Sequence, residues 1–160
     1  MFCRHAMITN VISAGPQQTI RDALELFAKH RIRVLPIVDG EGRLVGQFAL
    51  EDMLAGLLPA ALTVDHHDLM DLRLRLDYLL DATPGVAEHF RDLLPVEIGE
   101  VMNREVKLAH LDTPLWEGIR LLVQCRSPIP VVEEGSHKLL GLLSAQGATG
   151  RLMELVGELG

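Results

Sequence analysis

The chain has 160 residues, of which 48% are hydrophobic and 4% aromatic, so it is too apolar to be disordered and long enough for one domain or two small repeats. Its net charge is −7 with an isoelectric point near 5.4, which opposes binding to nucleic acids and anionic membranes. Cys3 and Cys125 match no metal or disulfide spacing, and no signal peptide is recognisable. The most apolar run, 53–64, is shorter than the roughly 20 residues that span a bilayer. We therefore expect a cytoplasmic protein with no nucleic-acid or membrane partner.

The first half of the chain reads as a β-α-β-β-α unit. After a brief extended piece at Val11-Ile12, Thr19 opens a helix with Asp22 as its capping-box partner. The apolar stripe of that helix has i, i+3, i+4, i+7 spacing and consists of Ile20, Ala23, Leu24 and Phe27. Two β-rich runs then flank the turn Asp39–Gly42, and a helix is predicted from about Leu50 to Leu58.

The same order recurs 95 positions later. Met7 falls on Met102, Ala14 on Ala109 and Arg31 on Arg126. One residue drops out, so that Pro36 matches Pro130, and it returns in the next turn, where Gly46 matches Gly141. Thr113-Pro114 is predicted to open the second long helix, with Thr113 as N-cap and Leu115, Ile119 and Leu122 as its inner face. We divide the chain into repeat 1 (1–58), a helical insert (59–97) and repeat 2 (98–160).

The insert predicts two helices with apolar faces. One face carries Leu69, Leu72, Leu76, Leu79 and Leu80, and a second helix starts at Thr83-Pro84 with Val86, Phe90, Leu93 and Leu94. These faces pack either on the repeats or on another subunit.

The two halves, PQQTIRDALELFAKHRIRVLPIVDGEGRLVGQFALEDML and TPLWEGIRLLVQCRSPIPVVEEGSHKLLGLLSAQGA, resemble cystathionine β-synthase (CBS) domains, and the tandem pair resembles a Bateman module. The resemblance covers roughly 7–58 and 98–158 and is carried by the helix openings, the Leu35-Pro36 and Ile129-Pro130 strands, and the Gly46 and Gly141 strands that enter a helix. It implies an α/β (α+β) fold of two repeats related by a pseudo-two-fold axis. It also implies a regulatory module that binds AMP, ADP, ATP or S-adenosylmethionine between the repeats, signals to a partner protein, requires no cofactor and catalyses no reaction.

The family signature for ribose and phosphate is a Gly, apolar residues, Ser or Thr, two residues and Asp. GQFALED keeps Asp52 but has Ala49 in place of the hydroxyl, and GLLSAQG keeps Ser144 but has Gly147 in place of the carboxylate. A carboxylate that accepts both ribose hydroxyls contributes about 1.5–3 kcal/mol, so the first half is the better site. The resemblance implies an apolar slot for the adenine, formed by Ile12, Leu35 and Pro36, and a phosphate neutralised by Arg31 or Arg33. The expected ligand residues are Ile12, Arg31, Arg33, Leu35, Pro36, Ala49, Asp52, Ile129, Pro130 and Ser144.

Structural alternatives stay open for these residues. Asp52 and Glu51 also suit the first turn of a helix, where the dipole favours acids by about 0.3–1 kcal/mol, and Ser144 also suits a plain N-cap. The arginines equally suit solvated positions. Asp65-His66-His67-Asp68 lacks a third ligand at metal-binding spacing, so no metal site is predicted.

The sequence also bears on other classes of function. The chain has no nucleophile elbow, P-loop or dinucleotide fingerprint, which argues against an enzyme. The alternative function is a ligand-free interaction scaffold with degenerate clefts that docks a partner through the insert. A divalent-cation sensor using Asp65, Asp68 and Asp71 is a third hypothesis. A homodimer is expected through apolar helix faces, namely Leu54, Leu57 and Leu58 with Leu152 and Val156.

Overall fold

The computed structural model describes residues 1–57 and 83–160. Repeat 1 contains helix α1 (Ile20–His30), strands β1 (Val34–Val38) and β2 (Leu44–Ala49), and helix α2 (Leu50–Leu57). Two helices follow, α3 (Thr83–Leu93) and α4 (Ile98–Val101). Repeat 2 contains α5 (Leu115–Cys125), β3 (Ile129–Val132), β4 (Leu139–Leu143) and α6 (Ala145–Leu159). The fold is α+β, as predicted.

Helix α1 begins as the sequence predicts. The Thr19 hydroxyl accepts a hydrogen bond from the Asp22 backbone N–H at 3.2 Å, and the Asp22 carboxylate accepts one from the Thr19 N–H at 3.0 Å. This reciprocal capping box satisfies two backbone donors that the helix cannot. The inner face of α1 is formed by Ile20, Ala23 and Phe27, which are buried.

Each repeat has a two-stranded antiparallel sheet, β1 with β2 and β3 with β4, and both hairpins shift register before their last pair. A single residue adds a short parallel bridge to each sheet: Ala14 pairs with Ile37 and Ala109 with Val131. The N–H of Ala14 donates to the Pro36 carbonyl at 3.1 Å, and the N–H of Ala109 donates to Pro130 at 2.9 Å. The register of the duplication is therefore confirmed by equivalent hydrogen bonds.

The N-terminal segments of the two halves, which come before α1 and α5 and are called leads here, are exchanged between the repeats. The first lead, residues 1–8, packs on repeat 2: Cys3 is fully buried in the repeat 2 core, and Ile8 pairs with Leu142. The second lead, residues 96–103, packs on repeat 1: Ile98 is fully buried in the repeat 1 core, and Gln47 pairs with Asn103. Each core is thus completed by the lead of the other half: Cys3 of the first lead in repeat 2, and Ile98 of the second lead in repeat 1.

Two glycines make this exchange possible. A Cβ on Gly46 would lie 2.7 Å from the Met102 sulfur, and a Cβ on Gly141 would lie 2.5 Å from the Ile8 carbonyl oxygen. Only a residue without a side chain lets each lead approach its strand this closely.

The predicted N-cap of α5 is wrong. The helix begins after Pro114, and the Thr113 hydroxyl accepts a hydrogen bond from the His110 N–H at 2.9 Å instead. The first lead takes over this end of the helix, because the Leu115 N–H donates to the Met1 carbonyl at 2.9 Å and the Thr113 carbonyl accepts from Cys3 at 2.8 Å.

The inner face of α5 also differs from the predicted stripe. Leu115 is buried as expected, but Ile119 and Leu122 are only partly buried, and Gly118 and Leu121 complete the buried face. Gly118 occupies the position of Ala23 in the duplication, and a Cβ there would lie 2.6 Å from the Cys3 sulfur.

The second helix of the insert packs on repeat 1. Helix α3 starts at Thr83, as predicted, and its residues Phe90 and Leu93 lie against the core formed around Phe27 and Phe48. Those two rings stack with centroids 6.0 Å apart. The first predicted helix of the insert, with Leu69 to Leu80, lies outside the described residues.

Candidate functional site

A cleft of ≈ 510 Å³ lies where the two repeats meet. Its walls come from the β1 start, the end of β2 and the first turn of α2 on one side, and from 103–107 and the α5–β3 connection on the other. The lining residues are Arg33, Val34, Gln47, Ala49, Glu51, Asp52, Asn103, Glu105, Val106, Lys107, Cys125, Arg126, Ser127, Pro128 and Ile129.

The wall of repeat 1 carries two of the three carboxylates that line the cleft, and the third, Glu105, lies on the opposite wall. Strand β2 runs directly into α2, so Ala49 ends the strand while Glu51 and Asp52 stand in the first turn of the helix. Both acids are exposed. Glu51 forms a 3.5 Å ion pair with Arg33, and Asp52 also lines the cleft.

The side chain of Gln47 joins the two repeats within the cleft. Its amide nitrogen donates to the Ser127 hydroxyl at 3.1 Å. The Gln47 backbone exchanges two hydrogen bonds with Asn103, of 2.9 and 2.8 Å. This region of the cleft is therefore tied to strand β2, to the second lead and to repeat 2 together.

The wall of repeat 2 carries two cations, a thiol and the Glu105 carboxylate. Cys125 is the last residue of α5, and Arg126 follows it in the left-handed region, with φ 51° and ψ 35°. Lys107 reaches the same cleft from the extended segment before Ala109. The sequence-based site omitted Lys107, Gln47, Ser127 and Arg126. For Arg126 a signal was available, since the duplication matches it to Arg31.

Four predicted ligand residues line this cleft, namely Arg33, Ala49, Asp52 and Ile129. The other six lie outside it. Leu35 and Pro36 of the expected adenine slot do not line this cleft, since Leu35 is 0% exposed and Pro36 is fully buried, as is Pro130. Strand β1 is buried along its centre, so these side chains fill a core and are not available to line a crevice. Ile12 is half-buried against the same core, and Arg31 caps α1.

Ser144 acts as an N-cap. Its hydroxyl accepts from the Gly147 N–H at 2.9 Å and begins α6. A Cβ on Gly147 would lie 2.7 Å from the Ala6 carbonyl, so the first lead occupies the space that a carboxylate side chain would need there. The two halves of the duplication therefore differ at the signature position.

Within 1–57 and 83–160, no group of three or more His, Cys, Asp or Glu side chains could hold a metal ion. Asp65, His66, His67, Asp68 and Asp71 lie outside the described part of the chain. No described helix is long and apolar enough to cross a membrane.

Comparison with known proteins identifies the family. The family model described as "CBS domain" matches residues 3–58 and 98–152, which is more than half of the chain. The chain belongs to the CBS domain family. The two matches make it a tandem CBS pair, as the duplication predicted.

The alignments with curated relatives each cover about a third of this CBS pair. The uncharacterized protein MJ1426 of Methanocaldococcus jannaschii is 42% identical over 55 residues, which are 34% of this chain and 33% of that protein. The alignment therefore spans about a third of the length of this curated relative.

Solved CBS pairs share the fold over nearly the full length. CBSX2 from Arabidopsis thaliana, crystallised in complex with AMP, gives a TM-score of 0.68 at 20% identity, covering 96% of this chain and 97% of that one. The CBS pair of MJ0100, solved in complex with 5′-methylthioadenosine and S-adenosyl-L-methionine, gives 0.64 at 22% identity, covering 96% of both chains.

Proposed function

We propose that this CBS pair is a cytoplasmic regulatory module that binds an adenosine-containing ligand in the cleft between its repeats and transmits the bound state to a partner protein. The module itself performs no chemistry. The observation that carries the proposal is the ≈ 510 Å³ cleft between the repeats with the Asp52 carboxylate in its wall. Solved CBS pairs with AMP and with S-adenosyl-L-methionine support the ligand class.

The physical basis is differential affinity. A ligand that contacts both walls favours the relative arrangement of the repeats that it fits best, and it shifts the population only by that difference in affinity. Ribose hydroxyls donate to Asp52, and the mixed apolar and polar lining accommodates a base. Ala49 removes the usual hydroxyl contact, which weakens binding but leaves the ribose acceptor in place.

Calorimetric titration with AMP, ADP, ATP, S-adenosylmethionine and NAD tests the proposal. We expect saturable binding of at least one ligand, and Asp52→Ala should abolish it by removing the charge-assisted contacts. Glu25→Ala is the matched control, since Glu25 is an exposed acid on α1 outside the cleft. No binding across the panel, or equal loss in both variants, contradicts the proposal.

A ligand-free scaffold is the second candidate, favoured by Ala49 in the cleft and by Gly147 in the second signature. In that case the insert docks a partner protein while the cleft has no ligand. The same titrations distinguish the two functions, because a ligand-free scaffold should show no binding to any ligand of the panel.

We also propose that two copies pair through the apolar faces of their helices. Leu54 is 48% exposed, and on α6 Leu152, Met153 and Val156 are 43%, 67% and 62% exposed. Between α5 and α6 a shallow groove of ≈ 180 Å³ is lined mainly by apolar residues. Apolar area of this kind is characteristic of homo-oligomer interfaces. Leu58 lies outside the described residues.

Sedimentation equilibrium tests the pairing. Val156→Glu should convert a dimer to a monomer, because it places a charge in the apolar contact. Val101→Glu is the control, since Val101 is a 42% exposed valine on α4 and is not among the residues assigned to the contact. A monomeric wild-type protein, or a dimer that survives Val156→Glu, refutes this interface.

A further inference from the structure

The turns of the two β-hairpins are joined to each other by backbone hydrogen bonds. The Leu44 N–H donates to the His137 carbonyl at 3.0 Å, and the Leu139 N–H donates to the Gly42 carbonyl at 3.0 Å. We call this contact the hairpin bridge. It connects repeat 1 to repeat 2 through main-chain atoms, so it does not depend on the rotamer of any side chain.

The hairpin bridge lies on the pseudo-two-fold axis of the pair. The offset of 95 positions relates Leu44 to Leu139, and it also relates Arg43 to Lys138, which pair as an antiparallel β-bridge between the two hydrogen bonds. The rotation that exchanges the repeats therefore exchanges the two bonds with each other. A contact that maps onto itself under a two-fold rotation must lie on the rotation axis.

The backbone of both turns is shaped for this contact. The two accepting carbonyls belong to Gly42, at φ 80°, and to His137, at φ 65°. Glycine adopts this left-handed region without steric strain, whereas a Cβ makes it unfavourable for histidine. The His137 N–H donates to the Glu133 carbonyl at 3.0 Å, which holds the turn closed. The strained backbone therefore stands at the residue whose carbonyl contacts repeat 1.

A side-chain contact joins the repeats away from the axis. The Gln47 amide donates to the Ser127 hydroxyl at 3.1 Å in the cleft. The offset places Leu142 at the position of Gln47, and an apolar side chain cannot form the equivalent hydrogen bond. This contact is therefore one-sided, whereas the hairpin bridge is symmetric. A hydrogen bond between two neutral side chains is also weak enough to open and close readily.

We propose that the hairpin bridge is the pivot about which the two repeats rotate, and that the Gln47–Ser127 hydrogen bond is a latch that holds one rotational position. When the latch opens, the cleft walls can move relative to each other while both backbone bonds on the axis stay closed. This device is a property of the pair without any ligand, so it does not depend on the function proposed above.

Amide hydrogen exchange measured by NMR tests the pivot. His137→Val should displace its carbonyl, because a β-branched residue is an outlier in the left-handed region. We expect the Leu44 amide, on the other repeat, to exchange about tenfold faster than in the wild type. The Ala14 amide, which donates to the Pro36 carbonyl within repeat 1, should keep its rate.

Arg31→Val is the matched control for this substitution. Arg31 has φ 53° at the end of α1 and takes no part in the hairpin bridge, so its replacement should leave the Leu44 amide unchanged. Equal exchange of that amide in both variants, or a Leu44 amide that is unprotected in the wild type, overturns the pivot.

Gln47→Leu tests the latch, because it gives repeat 1 the residue that repeat 2 has at the equivalent position. Relaxation-dispersion NMR should then show stronger microsecond-to-millisecond exchange in 125–129 than in the wild type. The Leu44 and Leu139 amides should keep their hydrogen-exchange rates. Gln146→Leu, at an exposed position on α6 outside the cleft, is the control. Unchanged dispersion in Gln47→Leu, or the same increase in Gln146→Leu, overturns the latch, and faster exchange of the two bridge amides in Gln47→Leu overturns the pivot.

Discussion

Replacing Gly141 by alanine should loosen the first lead from repeat 2. The new Cβ would lie 2.5 Å from the Ile8 carbonyl oxygen and 2.9 Å from the Met7 sulfur. The sulfur can move, but the carbonyl belongs to a backbone pair in which Ile8 and Leu142 exchange two hydrogen bonds of 2.9 Å. The backbone must therefore retreat by roughly 0.9 Å to reach an ordinary contact distance of 3.4 Å.

The expected cost follows from these contacts. Overpacking contributes about 1–3 kcal/mol, and weakening a hydrogen-bonded pair adds about 1 kcal/mol. The sum of about 2–4 kcal/mol lowers the melting temperature by about 5–15 °C for a chain of this size. Thermal and urea denaturation followed by circular dichroism measure the total, and hydrogen exchange should show faster exchange in residues 1–8.

Gly40→Ala is the control for this substitution. No heavy atom lies within 4 Å of the position of its Cβ, and its φ is not positive, so its stability should stay within about 0.5 kcal/mol of the wild type. A Gly141→Ala protein as stable as Gly40→Ala would refute the close approach of the lead.

Two further predictions concern titratable groups. Hydrogen bonds from the Arg43 backbone and side chain and from the Glu41 N–H lower the pKa of Asp39. Asp39 therefore contributes stability above its unfolded pKa that is lost as the pH falls through its lower folded pKa. Asp39→Asn should flatten the acid limb of a pH–stability curve, and an unchanged limb would contradict this. Burial raises the pKa of the Cys3 thiol, while Cys125 is exposed. Iodoacetamide near pH 7.5 should modify Cys125 first and Cys3 only after unfolding, as mass spectrometry will show; simultaneous labelling in the native protein would contradict the buried position of Cys3.

The sequence predicted the elements and the register of the repeat, because both depend on local patterns. The alternation of apolar residues and the capping box at Thr19 act within a few positions. The match of Gly46 with Gly141 follows from aligning the two halves of the sequence with each other. The capping box is present at Thr19, and the two matched glycines have equivalent close contacts in the two repeats.

The exchange of the leads could not be predicted in this way. Matching Met7 with Met102 shows which residues are equivalent, but it does not show on which copy each one packs. The error at Thr113 has the same origin, since Met1 and Cys3 contact that end of α5 from more than 100 positions away. Long-range contacts of this kind leave no short-range signal.

Leu35 and Pro36, two residues of the expected adenine slot, lie outside the cleft for a different reason. Leu35 and Pro36 belong to the apolar run VLPIV, whose central residues are all buried. A continuous apolar run is typical of a strand covered on both faces, and this signal could have placed them in a core. Asp52 and Arg33 reach the cleft because they stand at element ends, where polar side chains meet solvent.

The exchanged leads also limit how the two repeats can move relative to each other. Pulling the repeats widely apart would drag Cys3 out of one interior and Ile98 out of the other, and both side chains are completely enclosed. A wide separation of the repeats would therefore require partial unfolding of both cores. Under the proposed function, a bound ligand would therefore change the relative arrangement of the repeats only by a small tilt, and a partner protein in contact with their outer helices would respond to that tilt.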